Sequence, residues 1–145
     1  MHRSLVLALI AVVAAPAAAP AKKKPPKPPT KAVIAKLMNE IYVGDDAAQY
    51  PDEKYRLTVT KLVRGKPRKG DPVYEGTPAN RKTTVFPTRV TMVYVRCSPD
   101  GSVIKQDIVD DQLFFKDEYR TWTHHLVNQE RTPTSQSHVD GPCPI

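Results

Sequence analysis

VTMVYVRCSPDGSVIKQDIVDDQLFF, residues 90–115, is the stretch from which the fold can be read. Two β-rich halves flank Ser98-Pro99-Asp100-Gly101-Ser102, where proline presets φ and glycine supplies the positive φ of a tight reversal. The stretch therefore reads as an antiparallel hairpin, one strand ending at Cys97 and its partner running from Val103 to Phe115. Side chains alternate across a strand, so Val90, Met92 and Tyr94 point one way while Val93, Val95 and Cys97 point the other. A central strand apolar on both sides implies that both faces are covered.

Upstream, Thr83 to Cys97 is β-rich, with Pro87 marking an edge, a bulge or a late strand start. Residues 64–82 hold three glycines and three prolines, which predicts a long connection with at most a short strand at Val73-Tyr74. Lys54 to Val63 alternates Tyr55, Leu57 and Val59 against Arg56, Thr58 and Thr60, a half-buried strand. Residues 45–53 read as a polar loop. Before it, Val33/Ile34, Leu37/Met38 and Ile41 recur at helical spacing over residues 31–43, with Thr30 as N-cap and Gly44 as the left-handed stop. Downstream, Lys116-Asp117-Glu118 reads as a turn, Tyr119 to Leu126 as a last strand, and 127–142 as polar tail. The order predicts an α+β fold, one N-terminal helix packed on a curved antiparallel sheet of about four strands. One helix covers one face, and the other face is left as the pointer to function.

The chain starts Met1-His2-Arg3, continues with an apolar run over Ser4–Ala15 and reaches small residues at 16–21. That order reads as a secretory signal peptide over 1–21, cut after Ala21, and the run falls short of the roughly 20 residues that span a bilayer. Residues 22–31 (KKKPPKPPTK) read as a disordered, semi-rigid spacer in polyproline II form, with 32–145 as the single folded domain. The formal charge is +7, but Arg3 and five spacer lysines precede Ala32, where 16 Lys and Arg then face 15 Asp and Glu. The basicity thus belongs to the leader, where it suits contact with an anionic envelope surface, and nucleic acid is not expected as a partner. Cys97 and Cys143 are the only cysteines, and an exported pair is expected to form a disulfide that pins the C-terminal tail.

The helix, the long central hairpin and the closing strand with its tryptophan (KDEYRTWTHHL, 116–126) together resemble the nuclear-transport-factor-2-like and cystatin-like superfamily. The resemblance covers about residues 31–126. It implies a cone-shaped sheet that hosts enzymes, binding modules and secretion-system parts alike. Enzymes of that group that shift protons on steroid-like substrates use a buried acid with hydrogen-bond donors beside it.

Adjacent strand residues His124 and His125 point to opposite faces and cannot easily share a metal, and His138 has no spacing relation to them. Asp107, Asp110 and Asp111 share one strand, with Asp117 and Glu118 just beyond. Asp107 and Asp111 share a face, where either pairs with Arg89, Arg96 or Lys105 or, in a pocket, serves as a base near Tyr94. Lys61, Arg64, Lys66, Arg68 and Lys69 form a basic strand end and loop, with only Tyr74 following to stack on bases. Trp122, Phe114, Phe115 and Tyr119 would form a sugar platform if exposed, although alternation places at least half of them in the core. No GxSxG, HExxH, P-loop or Asn-x-Ser/Thr pattern occurs, and neither cofactor nor metal is expected.

The expected function is a small exported, non-catalytic binding module of the envelope-accessory or toxin-neutralising type. It would hold a protein partner, an apolar ligand or a second copy of itself on an apolar sheet face. Val90, Met92, Tyr94, Trp122, Arg64 and Lys66 are its candidate binding residues. The alternative is a cone-shaped pocket enzyme acting on a small apolar substrate by proton transfer.

Overall fold

The structure, a computed structural model, describes residues 24, 26–70, 83–143 and 145. The expected signal peptide and the Val73-Tyr74 strand lie outside the described residues.

Helix α1 spans Lys31–Tyr42, and the Thr30 hydroxyl caps it by accepting from the Val33 N–H at 3.3 Å. Ile34 and Met38, one turn apart, are fully buried, as the apolar spacing requires. Gly44 does not end the helical path. Val43 stays right-handed, its N–H bonds the Asn39 carbonyl, and α2 follows over Gly44–Gln49 in place of the expected loop. Asp45 and Asp46 sit in the first turn of α2, where the positive end of the helix dipole favours acids.

Six strands follow: β1 (Lys54–Arg64), β2 (Arg68–Lys69), β3 (Thr84–Cys97), β4 (Ser102–Lys116), β5 (Trp122–Arg131) and β6 (Ser135–His138). They form one antiparallel sheet that is not closed, in the order β1-β3-β4-β5, with β2 added beside β3 and β6 beside β4. Among the described residues the strands number six rather than about four for a physical reason. At 14 and 15 residues, β3 and β4 outrun their neighbours, so each outer edge is filled by two shorter strands in succession. β2 and β6 are polar and exposed, and an apolar period cannot reveal them.

Pro87 lies inside β3. Its carbonyl accepts from Gly65 N–H at 2.8 Å, so its nitrogen faces the break between β1 and β2, where no ladder donor is needed. Gly65 eases this approach, since a Cβ there would sit a tight 3.2 Å from the Pro87 Cβ. Gly101 adopts φ +89° in the hairpin turn, as expected, and a Cβ there would collide with the Val139 carbonyl at 2.5 Å. The last turn is longer than expected. Asp117 Oδ1 accepts from Thr121 N–H at 2.8 Å and Arg120 takes φ 62°, so β5 begins at Trp122 and Tyr119 is left 80% exposed in the turn.

Cys97 and Cys143 form a disulfide across 46 residues, with β6 beside the start of β4 and Val139 N–H bonded to the Gly101 carbonyl. The bond fits an oxidising compartment. Among the described residues, no helix is long and apolar enough to cross a membrane.

Candidate functional site

The two faces of the sheet are unequal. Ile34 and Met38 of α1 join Leu57, Val59, Phe86, Val90, Met92, Tyr94, Ile108 and Phe114 in one buried cluster. The Tyr94 hydroxyl donates to the Asp46 carboxyl of α2, and burial and this carboxyl both push its pKa up. Both helices therefore lie on one face. Val90, Met92 and Tyr94, expected as binding residues, are the core beneath α1, and a partner cannot reach them while the helix is docked. The face open to contact is the one carrying Val93 and Val95.

The ladder sets the composition of that open face. Val95 lies between Arg56 and Lys105, Val93 between Thr58 and Asp107, and Thr91 between Lys61 and Val109. Val93, Val95 and Val109 are half-buried, and Val63 at the β1 end is 51% exposed. Arg89 bridges Asp111 at 3.4 Å and Glu130 at 2.9 Å. The surface is thus a valine strip interleaved with charges of both signs. Cys97, on the same side of β3, is bonded to Cys143 of the tail.

A second arrangement lies between α1 and the sheet. Asp110 is fully buried, and its carboxyl accepts from the Tyr42 hydroxyl, from Gln112 Nε2 at 3.0 Å and from Gln129 Nε2 at 3.1 Å. Gln129 also donates to the Tyr42 hydroxyl, and Arg131 stacks on the Tyr42 ring at 5.7 Å. His124 Nδ1 meets Gln112 Oε1 at 3.1 Å. Burial and Asp110 drive the Tyr42 hydroxyl pKa well above its usual value, so it stays protonated and donates. Every donor around the carboxyl is used, which is what a buried polar group requires to be tolerated. The Asp110 cluster, with no exposed surface on the acid, acts as a latch holding the end of α1 on β4 and β5.

The third feature is a cleft of about 450 Å³ where the leader enters α1. Trp122, Phe86 and Val33 supply its apolar surface, Lys27 and Lys116 its charge, and Thr30, Thr83 and Thr84 its hydroxyls. Trp122 meets Phe86 edge-on at 5.7 Å, and Lys116 Nζ stands 5.3 Å over the indole. Pro26 and Pro28 form part of the wall and Pro29 is fully buried, so the last residues of the Lys/Pro leader belong to the folded body.

Trp122 is therefore half-exposed at a cleft, while Phe114 is core and Phe115 half-buried. Arg64 and Lys66 are exposed at the end of β1 and just after it. Asp107 is exposed, Asp111 is engaged by Arg89, and neither stands beside Tyr94. His124 and His125 do point to opposite faces, His124 toward Gln112 and His125 across from Leu113. The spacing of the acids names Asp110 but gives it no role, and it leaves out Tyr42, Gln112 and Gln129. The available signal was register: Asp110 and Gln112 share the face of Ile108 and Phe114, where a polar side chain must find internal partners.

Compared with known proteins, the chain matches no family model, no curated protein and no solved structure.

Proposed function

We propose that this chain is a small exported binding module that holds a protein partner on the helix-free face of its sheet, without catalysis. The observation that carries the reading is the asymmetry of β3. Its Val90-Met92-Tyr94 side is sealed by α1, and its Val93-Val95 side is covered by no described helix. Valines ringed by Arg56, Lys61, Lys105 and Asp107 suit a protein interface, with an apolar centre and a polar, charge-patterned rim. The helix-on-sheet architecture is compatible with the nuclear-transport-factor-2-like and cystatin-like resemblance, a group that hosts binding modules as well as enzymes. Export is supported by the disulfide together with the charge, apolar run and small residues of 1–21.

The enzyme alternative would need a substrate to reach a free acid. Asp110 is sealed and its oxygens are taken by three donors, and among the described residues no carboxylate lines the Trp122 cleft. Both observations favour the binding reading.

The test is capture from the native envelope fraction with mature protein, comparing wild type, Val93→Lys with Val95→Lys, and Lys36→Glu on the exposed side of α1. Wild type and Lys36→Glu should recover the same stoichiometric partner, and the double valine variant should lose it. Equal capture by all three would reject the sheet face as the interface. N-terminal sequencing of the secreted chain tests export, with Lys22 expected first.

A further inference from the structure

We infer that the Trp122 cleft binds a small saccharide carrying a carboxylate, of the uronic-acid type. This goes beyond the sheet-face reading, because the cleft lies on the helix-bearing side and needs no protein partner. Its volume of about 450 Å³ falls in the range of ordinary ligand sites, roughly 300–1,000 Å³.

The lining specifies the ligand chemistry. The half-exposed indole of Trp122, packed against Phe86, offers an apolar surface that fits the C–H side of a sugar ring. Thr83 and Thr84 supply hydroxyls that both donate and accept, as sugar hydroxyls require, and the Thr30 hydroxyl, whose oxygen accepts from Val33 N–H, still has its proton to donate. Lys27 and Lys116 supply positive charge, and none of the described residues lining the cleft is acidic. Asp117, next in sequence to Lys116, is turned into its own loop by its bond to Thr121 N–H. The first turn of α1 contributes Thr30 and Val33 to the wall, so the positive end of the helix dipole lies at the cleft as well. Lys116 rests over the indole in a weak cation–π contact, from which a carboxylate can draw it at small cost.

Trp122 is the only tryptophan, so its emission reports on the cleft alone. The purified chain is titrated with digalacturonate, with an uncharged galactose disaccharide and with benzoate. Digalacturonate should shift the emission saturably, and the uncharged disaccharide should bind about tenfold more weakly, the worth of a charge-assisted hydrogen bond. Raising salt from about 0.05 to 0.5 M should weaken digalacturonate binding through screening. Lys116→Gln and Lys27→Gln, both at exposed positions, should fold normally and each lose affinity severalfold. Absence of a saturable response to digalacturonate would overturn the proposal. So would equal binding of the uncharged disaccharide, or unchanged affinity in both lysine variants. A response to benzoate without one to digalacturonate would overturn the saccharide assignment.

Discussion

At the scale of single residues, Asp110 shows how a charged-type side chain becomes a structural latch. Replacing it with alanine leaves Tyr42, Gln112 and Gln129 with donors aimed at an empty site in the helix–sheet interface. Each orphaned buried donor costs about 1–3 kcal/mol, partly recovered by water at the half-exposed Tyr42 and Gln129, so Asp110→Ala should lower stability by about 3 kcal/mol in urea unfolding. Asp107→Ala, at an exposed position of the same strand, should change it by about 0.5 kcal/mol or less. His124 adds a pH dependence. Burial, then the nearby charge of His125, lowers its pKa below the ordinary 6.5. The unfolded chain therefore takes up a proton near pH 6.5 that the folded chain accepts only at lower pH, and stability falls as the solution is acidified through this window. Unfolding midpoints measured from pH 7.5 to 5 should drop for wild type and drop less for His124→Gln. The latch was only partly legible in the sequence. Spacing showed that Asp107 and Asp111 share a face, yet the decisive fact was that Asp110 stands opposite Val90 in the core register, which requires knowing the strand pairing.

At the scale of elements, periodicity was a good guide wherever an apolar stripe drives burial. The helix expected over 31–43 forms over Lys31–Tyr42, and the hairpin turns at Gly101. It was a poor guide where pairing alone makes the element. β2, β6 and the second half of β5 are polar, and they are strands because long β3 and β4 present unfilled hydrogen-bonding edges. The same lack of pattern hid the docking of the leader, since Pro29 is buried by position rather than by any period. The stability of α1 rests on its stripe, so Ile34→Ala should cost about 2–4 kcal/mol by opening a cavity at a site with no solvent exposure. Thr30→Ala should cost about 1 kcal/mol through the lost cap. Chemical denaturation of the two variants checks both values, and the order of the two effects is the sharper outcome.

At the scale of the whole molecule, a small body with helices on one side is stabilised from the tail as well as from the core. The Cys97–Cys143 bond closes 46 residues and holds β6 beside β4. By loop entropy it contributes on the order of 4 kcal/mol, so reduction, or the double serine variant, should lower the urea midpoint accordingly. The central claim is that one side of β3 is core and the other is a surface kept for contact. The most direct measurement is the urea midpoint of Met92→Lys against that of Val93→Lys in residues 22–145. A lysine at Met92 is driven into the sealed cluster and should leave the chain unfolded or severely destabilised, whereas Val93→Lys should remain folded with a midpoint near wild type. If Val93→Lys unfolds as Met92→Lys does, that face belongs to the chain's own core and the binding account is contradicted.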